Sequence, residues 1–472
     1  MAMFNGNDAS DLRAILKSYY KDDVPNLLGR ESPLLQKMKT SYVEGKEVSY
    51  PAIYSAGGAV SADATVAEAL ANEGNFKAQE WRVEPGQLFS VIKFDAKEVL
   101  ASKTKKGAYM KLAGAKVYAQ TVRFRKALAS SLYSRGYGEL AVLGDDYAFV
   151  ASTPIDITVP SNVIQAVQVG SAIVVKTAVE SATEQTVLKV TKMSASNKKL
   201  TVVPSTTYTC NATDVICFKG AMDGAGNPLF PRGLAEWIPT IGAREGADWE
   251  NYISVPCNGI NRSTYVEALA GSFVDGSAKA TILETIQELI LTLRNQGSAA
   301  DLIVMNPIDR MKFEKEIDAA NRIFTKADTK AARSVSAGLK DISVAFQTSI
   351  VDTIVDDPFL SEGICYILDN DYIEYWCLSN LETPKNTGKD EDAPDNMDDP
   401  MSYDNKGEGV DSAYKLLVDN FLSVVPGGLS ANGESTRVTL NLFGTIGVSN
   451  TAVNGAALLP GADKTRIIQC VK

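Results

Sequence analysis

A chain of 472 residues that is 45% apolar can bury a core divided into roughly two to four units, and its formal charge of −10 argues against wholesale nucleic-acid binding. It contains no histidine, which removes Ser-His-Asp and Cys-His catalysis, H-E-x-x-H zinc sites and every histidine general base. No apolar run approaches the ~20 residues of a membrane span, and the opening MAMFNGNDASDL lacks the basic-then-apolar pattern of a secretory signal, so synthesis and use in a cytosol are expected.

Along the chain, DASDLRAILKSYYKDDVPNLL gives a short amphipathic arm with Leu12, Ile15 and Tyr19 on one face, and Ser32-Pro33 starts a second brief helix. Between Lys46 and Phe94 the composition turns strand-like. EVSYPAIY and FKAQEWRVEPGQLFSVIKF are separated by a flexible segment, SAGGAVSADATVAEALANEGN, and the second stretch turns at Pro85-Gly86. A two-stranded ribbon is marginal in water. One that carries Trp81, Leu88, Phe89, Val91 and Ile92 needs a second surface, either its own domain or another chain.

From Gly107 to Gly136 the spacing predicts one long helix, because Met110, Ala113, Val117, Thr121, Phe124, Leu128 and Leu132 recur at steps of three and four. At about 1.5 Å per residue it would span roughly 40 Å, with Gly136 closing it in the left-handed conformation. Between Glu98 and Glu139 the chain carries lysines and arginines, among them Lys116, Arg123, Arg125 and Lys126, and no acidic residue, so the opposite face is positive. Residues Thr153 to Gly220, with AIVVKTAV, TVLKVTKM, KLTVVPS and DVICFKG, read as short strands of a small inserted β-barrel or sandwich.

A Gly- and Pro-rich connector follows, in which Trp237 and Trp249 are expected to pin loops onto a core. Ser277 caps a second strong helix with Ile282, Ile286, Leu289 and Leu293 on one face and Gly297 at its end. DLIVM reads as a buried strand, Asn306-Pro307 as a helix start, and ISVAF, TSIVDTIVDD, GICYILD and DYIEYWCLS as further strands. Together they predict a mixed sheet with flanking helices, to which RVTLNLFGTIGVSN returns as a late strand.

Chemistry is sparse. Cys210, Cys217, Cys257, Cys365, Cys377 and Cys470 form no C-x-x-C pair and read as buried thiols. The acidic stretch from Lys389 to Asp411 lacks the calcium-loop spacing and reads as a solvated loop. Gly45-Lys46 and Gly388-Lys389 lack the rest of a phosphate-binding loop, and Asp352, Asp356 and Asp357 read as a strand exit rather than a carboxylate pair for hydrolysis. No catalytic residue, cofactor or metal site is predicted.

The order of parts resembles the major capsid proteins of tailed bacteriophages, which share the coat-protein fold named after phage Hong Kong ninety-seven. The residues that carry the likeness are EVSYPAIYSAGGAVSADATVAEA through VIKFDAKEVLAS, then ALASSLYSRGYGEL, GSAADLIVMNP and VDDPFLSEGICYILDNDYIEYW. The resemblance implies an α+β fold with an N-terminal arm (1–45), an extended E-loop (46–95), a spine helix and peripheral domain (96–152), an inserted β domain (153–220), more peripheral domain (221–300), an axial domain (301–425) and a C-terminal return strand (426–472). It implies a structural, non-enzymatic subunit of an icosahedral virion shell that encloses double-stranded DNA and is assembled in a bacterial cytoplasm. Its partners would be itself in hexamers and pentamers, a separate scaffolding protein, a portal, auxiliary capsid proteins and the packaged DNA. Trp81, Pro85, Leu88 and Phe89 would meet a neighbouring subunit. Arg123, Arg125 and Lys126 would face DNA or be matched by acidic residues nearby. Two alternatives remain: an encapsulin-type shell, or a histidine-free carboxylate hydrolase with two acids facing across a cleft.

Overall fold

The computed structural model describes residues 33–43, 45–55, 59–71, 77–95, 112–240, 246–321, 344–346, 349–351, 353–378, 423–427, 435–464 and 466–467. They belong to two compact units. One draws on Leu88–Lys126 and Ser379–Leu442, and the other on Ser32–Gln87, Ala127–Leu378 and Phe443–Lys472. The N-terminal arm before residue 33, most of the lysine-rich stretch before residue 112, the acidic stretch 389–411 and Cys470 lie outside the described residues.

The helix α1 (Pro33–Lys37) starts where Ser32-Pro33 predicts, and its Leu34 and Leu35 are fully buried. After β1 (Lys39–Val43) come β2 (Val48–Ser55), α2 (Ala64–Ala71) and β3 (Lys77–Val83). β2 and β3 pair antiparallel from Val48↔Val83 to Ser55↔Lys77, with a bulge after Ile53, and form the expected ribbon. The helix α2 corrects the reading of the intervening segment as wholly flexible. Asp63 caps it, accepting from Thr65 N at 2.9 Å and Thr65 Oγ1 at 2.6 Å, ahead of a run of good helix formers.

β4 (Gly86–Asp95) leaves the Pro85-Gly86 turn, where a Cβ on Gly86 would overlap the backbone of Phe230 and Pro231. The helix α3 (Leu112–Ser131) has 20 residues, or about 30 Å, and buries Phe124 and Leu128 as its stripe requires. Its C-terminus is a correction. The helix closes at Ser131 rather than Gly136 because Ser131 Oγ donates to Leu128 O at 2.7 Å and Ser134 Oγ to Ser131 O at 3.1 Å, satisfying the last carbonyls early. Gly136 has the expected left-handed φ of 95°, but spends it in the next turn.

The β module follows. Its strands are β5 (Glu139–Val142), β6 (Tyr147–Phe149), β7 (Ile155–Thr158), β8 (Ala172–Lys176), β9 (Thr186–Ser194), β10 (Lys199–Pro204), β11 (Tyr208–Cys210) and β12 (Val215–Phe218), with α4 (Ser161–Ala166) inside. Six strands form one antiparallel sheet in the order β5-β12-β8-β9-β10-β7, and β6 pairs with β11. The sheet begins at Glu139, ahead of the expected Thr153, because β5 supplies the pairing partner of β12. Its core of Leu140, Phe149, Ile157, Leu188, Leu200 and Ile216 also takes in Ala129 and Phe359. The module is therefore welded to its unit, and Lys198 adds an ion pair to Glu362 at 2.6 Å.

Among the described residues, further α-helices are α5 (Leu234–Trp237), α6 (Ala247–Ser254), α7 (Val266–Leu269), α8 (Ile282–Asn295) and α9 (Pro307–Asn321). β13 (Ser272–Asp275), β14 (Leu302–Met305), β17 (Thr353–Asp356), β18 (Ile364–Leu368) and β22 (Gly455–Leu458) build a mixed sheet ordered β13-β22-β18-β14-β17, while β15 (Val344–Phe346) and β16 (Ser349–Val351) form a hairpin. The Ile282, Ile286, Leu289 and Leu293 face of α8 packs in one core with Ile303, Met305 and Ile367 of that sheet. Ser277 is not the cap of α8. Its hydroxyl is held by Asp275 Oδ1 at 2.6 Å, and Thr281 Oγ1 accepts from Glu284 N instead. Asn306 does start α9, accepting from Ile308 N at 2.9 Å. β19 (Ile373–Leu378) joins another sheet, parallel to β1 and antiparallel to the second half of β21 (Ser435–Val448), whose first half pairs with β20 (Ser423–Gly427).

Candidate intersubunit surface

The ribbon β2–β3 is anchored at its base by a chain of aromatic rings. Tyr50 and Trp81 sit opposite each other in the register. The Tyr50 ring meets Trp376 edge-on at 5.5 Å, and Trp81 meets Trp237 edge-on at 5.1 Å. Two of the rings donate to the same late strand: Tyr50 Oη to Val448 O, and Trp237 Nε1 to Ile446 O at 2.9 Å. Burial pushes the Tyr50 phenol pKa up, so the group stays a donor. Two backbone bonds complete the anchorage, Arg82 N to Asn258 O at 2.8 Å and Gln87 N to Leu229 O at 2.7 Å.

The predicted contact residues divide accordingly. Trp81 is 2% exposed and covered by its own chain, Pro85 is half-buried, Leu88 is buried, and Phe89 is 50% exposed. β4 alternates, with Leu88 and Ser90 buried and Phe89 and Val91 outward, and Gln120 of α3 donates to Ser90 Oγ. Farther out on the ribbon, Ile53 and Val66 are exposed, and Val60 is wholly so. These three were not singled out from sequence, although their place in a segment with few neighbours of its own was a signal.

The basic candidates lie on the C-terminal part of α3. Arg123, Arg125 and Lys126 are half-buried, and burial holds the Arg123 guanidinium and the Lys126 ammonium below their usual pKa values. Arg123 and Arg125 already have interactions within the chain.

Among the described residues, no group of acids and cysteines could hold a metal, and no helix is long and apolar enough to cross a membrane. Asp356 pairs with Arg310 at 2.7 Å and Asp357 accepts from Phe359 N at 2.9 Å, so each is committed to a local contact, while Asp352 lies outside the described residues. Cys210, Cys217, Cys257, Cys365 and Cys377 are buried free thiols, as composition suggests. Trp237 and Trp249 are buried as expected, but they lie in the short helices α5 and α6 rather than in loops.

No family model matches the chain, and no curated protein does. Among solved structures the chain is similar to a subunit of the cyanophage A-1(L) capsid, at TM-score 0.51 and 11% identity over 95% of this chain and 98% of that one. It is also similar to the capsid protein of a native GTA particle, at TM-score 0.43 and 9% identity over 97% and 100% of the two chains. A further likeness is to the SrpI encapsulin of Synechococcus elongatus, at TM-score 0.42 and 9% identity over 97% of each chain. The cyanophage likeness establishes the fold: this is a mixed α+β chain with the fold of a phage capsid subunit.

Proposed function

We propose that the chain is the major capsid protein of a tailed bacteriophage, a structural subunit that tiles an icosahedral shell of hexamers and pentamers around a double-stranded DNA genome. The observation that carries this reading is the fold shared with the cyanophage capsid subunit over nearly the full length of both chains. In this reading β2–β3 with α2 is the E-loop, α3 is the spine helix and the β5–β12 sheet is an inserted domain. Apolar groups exposed at Ile53, Val60, Val66 and Phe89 suit burial against sister copies, since identical subunits close a shell by repeated heterologous contacts. A scaffolding protein, a portal and auxiliary proteins belong to the same reading.

Arg123, Arg125 and Lys126 would then neutralise packaged DNA by releasing its counterions. Replacing all three by Gln should lower genome retention while shells still form. Electron microscopy of the purified full-length chain tests the main reading: closed icosahedral shells are expected, and a lone compact particle at every concentration would overturn it. Shells isolated from cells should hold duplex DNA, whereas protein cargo inside them would favour the encapsulin-type alternative.

A further inference from the structure

Buried charge gathers at a place the shell reading does not use. The turn after α3 carries Arg135 and the first residue of β5 is Glu139, both more than nine-tenths buried. They line a cavity of ≈ 40 Å³ together with Ser130, Asn162 and Ser361. At about 10–15 Å³ per molecule, that volume takes roughly three waters. Asn162 fixes the polarity of the wall. Its Nδ2 donates to Leu140 O at 3.1 Å and to Ser361 Oγ at 3.2 Å, so the amide cannot be turned round, and Oδ1 has no protein partner among the described residues. A buried acceptor is costly to leave unpaired, and a polar cavity of this size supplies water for it.

The Glu139 carboxylate accepts from the backbone N–H of Arg135 and from that of Tyr137 at 3.1 Å. The Arg135 guanidinium is shared: Nε lies 3.8 Å from Glu139 and Nη1 lies 3.5 Å from Glu180. Other elements bring further groups. Glu236 on α5 adds negative charge and is itself paired with Arg232 at 3.8 Å, Cys217 stands opposite Glu139 on β12, Lys176 comes from β8, and Tyr137 stacks near Arg135. One guanidinium thus serves two carboxylates beside the cavity, with a third carboxylate nearby.

We infer that this cavity is a hydrated proton-binding site in which Glu139 is the acceptor, Asn162 holds the water that reaches it, and proton uptake hands Arg135 over to Glu180. The proton comes from solvent, the carboxylate becomes a neutral acid, and the junction gains one positive charge. Burial first, and Glu236 after it, push the Glu139 carboxyl above the usual range, while Arg135 and the backbone donors pull it back. Because the folded chain then holds this proton more tightly than the unfolded chain, Glu139 adds stability as pH falls through its folded value. That gain levels off below the ordinary value of about 4.3.

The test follows amide exchange in residues 139–142 and 177–185 of the purified full-length chain as a function of pH. Expressed as protection relative to the intrinsic exchange rate at each pH, the wild type should change with a midpoint above about 4.3, and Glu139→Gln, which is permanently neutral, should give a flat profile. Glu180→Gln leaves Arg135 to Glu139 alone and should move the midpoint down by about one unit, a tenfold weaker hold on the proton. Glu180 is the more exposed partner, so this variant carries the test even where Glu139→Gln does not fold. A midpoint that Glu180→Gln leaves unmoved, or a wild type and Glu139→Gln with the same profile, would overturn the site. A high-resolution map should show density within hydrogen-bond distance of Asn162 Oδ1, and a dry cavity would overturn the role of water.

Discussion

The ribbon β2–β3 is one antiparallel ladder, yet its two ends belong to different environments. At the base, Tyr50 packs on Trp376 and the buried Trp81 on Trp237, and Tyr50 and Trp237 each donate to a backbone carbonyl of the Phe443–Val448 part of β21. Toward the outer end the support thins to a stack of Tyr54 on Tyr265 at 6.0 Å and a long hydrogen bond from Gln79 to Thr264, while Ile53, Val60 and Val66 face solvent. The hydrophobic argument for a second chain thus applies to the outer end and not to the base. Pairing in register does not decide what a strand is for; what covers each residue does.

The comparison predicts a gradient of mutational cost. Trp81→Ala should be the most damaging, because it removes a fully packed ring from between Tyr50 and Trp237, and a loss of about 3–5 kcal/mol in denaturant unfolding of the dissociated subunit is expected. A loss under about 1 kcal/mol would mean that the base is not the anchor. Gly86→Ala comes next. Its Cβ would overlap the Phe230 carbonyl and the Pro231 backbone, neither of which can swing aside, and strain of this kind costs about 1–3 kcal/mol. Tyr50→Phe keeps the ring and deletes only the bond to Val448 O, so about 0.5–1.5 kcal/mol should be lost, and the same thermal or denaturant scan reads it.

Local signals in the sequence carried much of this architecture. Asn306-Pro307 marks the start of α9 because a side-chain acceptor followed by a residue with no N–H is what a helix terminus needs. Other local signals were present but outweighed. Thr281 with Glu284 has the capping-box spacing, and Ser277 offers an equivalent hydroxyl in the sequence, but Asp275 occupies that hydroxyl in the fold. Asp63 ahead of ATVAEALA is likewise a cap, hidden by the glycines before it. The candidate site was less legible for a different reason. Period-two alternation in QLFSVIKF shows that Leu88 and Phe89 face opposite ways, but nothing local says which way is in. Trp81 looked like a contact residue because its cover, Trp237, arrives only after the whole β module has intervened. Long-range pairing of this kind is absent from any window of sequence.

The smallest expected effect on the subunit is the one that bears most on the shell. Ile53→Asp places a charge on the outer end of β2, where the side chain is 59% exposed and packs against little of its own chain. Folding stability should therefore change by no more than about 0.5 kcal/mol. If that end lies against a sister copy, the same carboxylate must be desolvated at each contact without a partner, and the penalty is repeated at every equivalent position in the shell. Well-folded subunits that no longer close into particles are the expected outcome, read by unfolding and electron microscopy on one preparation. Normal shells from the Ile53→Asp chain would place the contact elsewhere, with the Phe89 and Val91 face of β4 as the next position to substitute in the same way.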